Sequence, residues 1–210
     1  LCISDTFHGQ TASYLYGTEG IYPVTLTVIT NNLCTNSITI DATIHPNPVI
    51  EFSSPNPDGC AEWCADFIDN STITIGSINS HYGEFNNGLV SIDQNPSSCF
   101  ENASLADVTY DVTLTAVSDQ GCSSTMTNSD MIIVYPIPVA DFIPSPPVSD
   151  IYNTIFDFID NSTIADIYDW NVAGLESFTD QDIQYTFSDA DSGTYETCLN
   201  VATIHGCVHD

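Results

Sequence analysis

The sequence predicts an all-β protein built from tandem β-sandwich repeats of about 85–91 residues, on three observations. The first is internal repetition. The stretch from Tyr22 to Cys34 returns from Tyr110 to Cys122 and again from Tyr195 to Cys207, at offsets of 88 and 85 residues. Phe67-Ile-Asp-Asn-Ser-Thr72 returns unchanged as Phe158-Ile-Asp-Asn-Ser-Thr163, at an offset of 91, and Pro46 to Phe52 returns as Pro136 to Phe142, at 90. One order and one period for all three blocks mark a repeated supersecondary unit. The second observation is alternation: Tyr110, Val112, Leu114 and Ala116 interleave with Asp111, Thr113 and Thr115. A period of two gives a strand with one buried and one wet face. The third is punctuation. Thr, Val, Ile and Tyr fill the runs, Asn, Asp, Gly and Ser clusters separate them, and no long stretch has helical periodicity.

These blocks divide the 210 residues into the second half of a repeat (1–45), a complete repeat (46–135) and a repeat lacking its last strand (136–210). The connectors are His45-Pro-Asn-Pro48 and Tyr135-Pro-Ile-Pro138. Proline fixes φ and removes a donor, so both joints are expected to be short and stiff.

The charge narrows the partners. There are 28 Asp and Glu and no Lys or Arg, a formal net charge of −28. A chain of this length ordinarily carries about 20 basic residues. Nothing here neutralises phosphates, so nucleic acid is excluded as a partner. An anionic membrane surface is excluded for the same reason, and no apolar run approaches the roughly 20 residues of a spanning helix. The acidic surface reads either as a solubilising coat or as a collector of divalent cations. Crowding like charges on folding is expected to raise carboxylate pKa values on average, so that stability rises as pH falls from 7.

No catalytic motif emerges. His8, His45, His81, His205 and His209 sit in no nucleophile elbow, HExxH or triad pattern, and the chain is expected not to be an enzyme. His205, Cys207 and His209 fall at strand spacing on one face, as metal ligands could, yet Cys207 also belongs to the repeat. Asp180, Asp182, Asp189 and Asp191 form weak calcium candidates that complete no EF-hand spacing, so they read equally as polar loop tips, and no cofactor is expected. Asn70, Asn102 and Asn161 begin Asn-x-Ser/Thr sequons, two of them inside the repeated Asp-Asn-Ser-Thr turn. Eight cysteines without a CxxC read as disulfides, hence an oxidising compartment.

The residues Pro138-Val-Ala-Asp-Phe142, Phe156-Asp-Phe158, Ser162, Trp170-Asn-Val-Ala-Gly174 and Gly193-Thr-Tyr195 through Leu199 and Val201 resemble the PKD domain, an immunoglobulin-like repeat of bacterial and archaeal surface proteins. In the middle repeat Tyr82 takes the place of the Trp, and the Trp-Asp-Phe-Gly-Asp-Gly core of the family is degenerate in both copies. The Gly-Cys after the Tyr strand is similar to the long arrays of gliding-motility adhesins, giant cell-surface proteins of gliding bacteria. The resemblance implies an extracellular, structural and adhesive stalk whose partners are its own neighbouring repeats and an unidentified surface ligand. It implies, as the alternative, an accessory module of a secreted polysaccharide- or protein-degrading enzyme.

An immunoglobulin-like sandwich also implies disulfides. Trp63, Ala65 and Phe67 face the core on the second strand, so Cys64 faces out; Ser98 and Phe100 face in on the fifth, so Cys99 faces out. Those strands are antiparallel neighbours in such a fold, which pairs Cys64 with Cys99. Cys60 lies in the loop between the first two strands and Cys122 in the loop between the last two, at opposite poles by analogy with the fold. Cys60 is then expected to pair with Cys207 of the next repeat, the competing arrangement being Cys60 with Cys122. By the same reasoning Cys34 and Cys122 are expected to pair with cysteines of preceding repeats, for Cys122 in the first half of the repeat that residues 1–45 complete, while the partner residues of Cys2, Cys34, Cys122 and Cys198 are not assigned.

Overall fold

The structure, a computed structural model, describes residues 6–150, 152–188 and 193–209. Its strands fall into three groups along the chain, and the fold is all-β. The first group is a hairpin of β1 (Gly20–Ile29) and β2 (Thr35–Ile44), paired antiparallel from Gly20 opposite Ile44 to Ile29 opposite Thr35. Alternation puts Val24, Leu26, Ile38 and Ile40 on one concave face. That face is open, with Leu26 60 % exposed.

The middle group is a sandwich of β3 (Phe52–Ser53), β4 (Asp58–Cys60), β5 (Trp63–Asp66), β6 (Ile68–Asp69), β7 (Ile78–Glu84), β8 (Val90–Ser91), β9 (Ser97–Phe100), β10 (Val108–Ser118) and β11 (Ser123–Tyr135). One sheet has the order β4-β11-β10-β7-β8; the pairs β3-β6 and β5-β9 form the opposite layer. Phe52, Ala65, Phe67 and Phe100 meet Phe85, Val112, Leu114, Ile132 and Val134 in the core. Leu114, at the position of Leu26 one repeat earlier, is 8 % exposed. Covering a leucine in this way contributes about 1.5–3 kcal/mol.

The last group contains β12 (Phe142–Ser145), β13 (Ile155–Asp160), β14 (Ile167–Val172), β15 (Glu176–Phe178), β16 (Ile183–Thr186), β17 (Thr197–Ala202) and β18 (Val208–His209). Sheets β12-β13-β16 and β15-β14-β17-β18 enclose Phe158, Trp170, Val172, Ile183, Phe187, Leu199 and Val201. Trp170 is fully buried, stands edge-on to Phe142 at 5.1 Å and donates from Nε1 to the Asp180 carbonyl at 2.9 Å.

The strand register corrects one sequence assignment. Trp170 lies opposite Leu199, whereas Gly83 lies opposite Leu114, the residue equivalent to Leu199. Gly83, not Tyr82, therefore holds the place of the tryptophan. Tyr82 points outward, opposite Thr115, and is 42 % exposed. The Phe85 ring approaches the empty side of Gly83, and Phe52 and Phe67 line the small crevice left there. Counting from the aromatic residue missed this because one face of a strand is shifted to the other by a single residue.

The unchanged Phe-Ile-Asp-Asn-Ser-Thr block makes the same turn twice. Asp69 Oδ1 accepts from the Ser71 N–H at 3.0 Å and Asp160 Oδ1 from the Ser162 N–H at 3.0 Å. Thr72 then bridges to Val49 and Thr163 to Val139. Side-chain-to-backbone bonding of this kind is the physical reason that Asp recurs there.

Candidate functional site

The densest set of unusual contacts lies where the middle and last sandwiches meet. β11 carries the chain to Tyr135, and Pro136 and Pro138 follow, both buried. β4 runs parallel to the end of β11, with Asp58, Gly59 and Cys60 beside Ile133, Val134 and Tyr135. The Ile133 N–H donates to the Pro57 carbonyl at 2.9 Å and the Ala61 N–H to the Tyr135 carbonyl at 3.0 Å. Cys60 thus stands on a strand rather than in the loop expected from the sequence. That strand satisfies backbone groups of an edge that would otherwise be open.

Local packing holds β4 in place. Trp63 lies so close over Gly59 that a Cβ there would run into the indole. Trp63 Nε1 donates to the Asn56 carbonyl at 2.9 Å. The Asn56 side chain donates to the Cys64 carbonyl and accepts from the Asp66 N–H, each at 3.0 Å. A glycine is required here for close approach.

Cys207 arrives from the other side, in the turn after β17. The Thr203 N–H donates to the Cys207 carbonyl and the Gly206 N–H to the Thr203 carbonyl, both at 2.9 Å, and the Cys207 N–H donates to Thr203 Oγ1 at 3.2 Å. Gly206 takes a φ of 81°, a conformation that suits glycine. Cys60 and Cys207 are bonded, with Cα atoms 5.5 Å apart and a separation of 147 positions in sequence. Beside the bond the rings of Tyr135 and His205 stack, centroids 3.8 Å apart and 6° from parallel. His209 Nδ1 accepts from the Ala140 N–H at 3.3 Å. Burial, followed by the carboxylates of Asp58 and Asp107, pushes the Tyr135 phenol up.

The turn at Gly206 also separates three residues that strand spacing would have aligned. His205 stacks on a ring, Cys207 is disulfide-bonded and His209 caps a backbone amide. Cys64 and Cys99 face one another on β5 and β9 and are bonded, Cα atoms 3.9 Å apart. Cys34, Cys122 and Cys198 carry free thiols, and Cys2 lies outside the described residues.

The two described acidic candidates, Asp180 and Asp182, belong to no cluster of metal-type ligands. Asp182 Oδ1 accepts from the Asp160 N–H at 2.8 Å, and Asp180 meets Trp170 through its backbone carbonyl. Asp189 and Asp191 lie outside the described residues. Among the described residues no group of three or more His, Cys, Asp or Glu is arranged to hold a metal ion. Asn102 is 9 % exposed and its amide donates to the carbonyls of Ala106 and Val134 at 2.8 and 2.7 Å, so this sequon is a structural anchor.

One close histidine–carboxylate contact occurs among the described residues, His81 Nε2 to Asp69 Oδ2 at 2.9 Å, and it joins β7 to β6 across the middle sandwich. Burial by itself would raise the Asp69 carboxyl. Hydrogen bonds from Ser71 and Gln94, with His81 beside them, outweigh it and hold the group below the usual carboxylate range. Asp160 behaves likewise: burial raises it, and bonds from Ser162, Gln181 and Tyr168 lower it further. Tyr168 occupies the place of His81, each lying opposite a residue of the equivalent strand, Val201 and Ala116. These two carboxylates run against the average upward shift expected from the net charge.

The chain is therefore an all-β protein of β-sandwiches carrying one disulfide within a sandwich and one across a joint. No protein-family model and no curated protein matches the sequence. Solved structures similar to it include the PKD1 domain of the Vibrio cholerae metalloprotease PrtV, 25% identical over 44% of this chain and 99% of that one, with a TM-score of 0.34. The PKD1 domain of Vibrio anguillarum Epp is 22% identical over 44% of this chain and 99% of that one, with a TM-score of 0.36. A 1.5-MDa bacterial ice-binding adhesin, described for its host cell surface retention, is 10% identical over 91% of this chain and 72% of the solved chain, with a TM-score of 0.41.

Proposed function

We propose that this chain is a non-catalytic, load-bearing segment of an extracellular adhesive stalk, of the kind used in gliding-motility adhesins. Its tandem immunoglobulin-like repeats act as spacers that hold a distal binding tip away from the cell surface. The observation that carries this reading is the Cys60–Cys207 bond across the joint. Tension that reaches Cys60 leaves through Cys207 along covalent bonds, and residues 61–206 are shielded from it. Buried Pro136 and Pro138, together with the Tyr135–His205 stack, support the same role by resisting rotation of one sandwich on the next. Two disulfides support folding in an oxidising compartment.

Force spectroscopy on the chain pulled from its ends tests the mechanism. Reduction of the 147-residue loop is expected to add roughly 500 Å of extension, at about 3.4 Å per residue. Equal extension before and after reduction overturns the load path. The full polypeptide separates the stalk from the accessory role: many repeats without a catalytic domain fit the stalk, whereas one or two repeats beside a hydrolase refute it.

A further inference from the structure

Three turns of this chain are built alike. The Thr30 N–H donates to the Cys34 carbonyl at 2.9 Å, the Ser118 N–H to the Cys122 carbonyl at 2.8 Å and the Thr203 N–H to the Cys207 carbonyl at 2.9 Å. In each, the cysteine N–H returns to the hydroxyl of the same Thr or Ser, at 3.2, 3.1 and 3.2 Å. Cys122 is therefore presented as Cys207 is, and Cys207 is bonded.

The surroundings of Cys122 extend the match. Its Sγ lies 4.0 Å from the carbonyl of His45. His45 directly follows β2 and precedes the buried Pro46, much as Tyr135 ends β11 and precedes the buried Pro136. Tyr135 is the residue beside which Cys60 stands, on a strand parallel to β11. The half-buried Cys122 thiol is thus aimed at the corresponding spot at the earlier joint.

We propose that Cys122 is one half of a second disulfide across a joint, its partner a cysteine on a strand that runs parallel to the end of β2 and passes beside His45. The partner stands there as Cys60 stands beside Tyr135. The bond forms by exchange with the disulfide of an oxidising dithiol protein. The two thiols lose two protons and two electrons, one S–S bond forms, and the donor disulfide is reduced to a dithiol. The consequence rests on the stalk reading: the new loop overlaps the Cys60–Cys207 loop across residues 60–122, so successive joints are covalently interlocked. In such a ladder no joint opens while its bridge is intact.

The test uses the native protein from its source, alkylated with iodoacetamide before any reduction. It is then digested with chymotrypsin and a Glu-specific protease, since trypsin has no site in these residues. The Cys122 peptide is expected unalkylated and linked to a peptide of the same polypeptide from outside residues 1–210, and reduction is expected to separate the two. An alkylated Cys122 overturns the proposal. So does a link to Cys2, Cys34, Cys60, Cys64 or Cys99, or to Cys122 of a second chain. The readout is independent of the stalk reading. A linked Cys122 in a short accessory protein sinks the stalk alone; an alkylated Cys122 in a long array sinks the second bridge alone.

Discussion

Tyr135 and His205 stack face to face across the joint, 3.8 Å between ring centroids, next to the Cys60–Cys207 bond. The two residues belong to different sandwiches, so the stack and the bond together fix both distance and rotation. Loss of the bond leaves the stack and the prolines to hold the orientation. In Cys60→Ser, each sandwich is expected to stay folded while the angle between them spreads. Small-angle scattering checks this: the maximum dimension is expected to distribute more broadly in the variant, with the cores' circular dichroism unchanged. A scattering profile identical to that of the parent speaks against the bridge as the source of stiffness.

Asp69 gives a pH dependence with a defined sign. Its carboxyl is held below the usual carboxylate range in the folded state, despite burial, by Ser71, Gln94 and His81. A depressed folded pKa contributes stability above the unfolded pKa, and that contribution is lost as pH falls through the folded value. Asp69→Ala is expected to lower stability by about 1.5–3 kcal/mol near neutral pH, the range for hydrogen bonds to a charged group. The gap to the parent is expected to shrink at pH values below the ordinary carboxylate range. Thermal melts of both proteins from pH 7 to pH 2 check it, and a gap that widens in acid contradicts it.

The three cysteine turns differ in the residue that precedes the cysteine. Gly121 and Gly206 have φ values of 78° and 81°, and Leu33 occupies the same place at 64°. A left-handed backbone costs a residue with a Cβ about 1–2 kcal/mol. Gly121→Leu is expected to destabilise the middle sandwich by about that amount, read from the denaturation midpoint at unchanged m. Leu33→Gly is expected to relieve the strain at β1-β2, read from slower amide exchange in that hairpin.

With a net charge of −28 and no Lys or Arg, repulsion opposes the compact state. Raising sodium chloride to 1 M shortens the screening length to about 3 Å, and the melting temperature is expected to rise. A falling midpoint across the salt series refutes this. Trypsin, for its part, is expected to leave the reduced and denatured chain intact, as a gel will show.

Much of the molecule was legible in the sequence because its signals are local or periodic. Alternation at Tyr110 to Ala116 marks β10, and the repeated Asp-Asn-Ser-Thr block marks a turn whose Asp bonds its own backbone. The outward positions of Cys64 and Cys99 follow from the same period of two. Other features needed the fold. Cys60 reads as a loop residue, because three residues carry too short a pattern to reveal β4; only the open edge of β11 makes Asp58 to Cys60 a strand. Gly83 in place of tryptophan, with Phe85 turned toward it, depends on cross-strand register, which a linear count does not contain. The Tyr135–His205 stack and the His81–Asp69 pair join residues 70 and 12 positions apart, with no periodic trace. By itself, then, the sequence determined strands, turns and repeat period, which backbone geometry and side-chain alternation dictate over a few residues. The Cys60–Cys207 bridge was expected by analogy with the fold, but tertiary structure alone decided what surrounds it, the pairing of β4 with β11 and the Tyr135–His205 stack, because those contacts depend on two folded surfaces meeting in space.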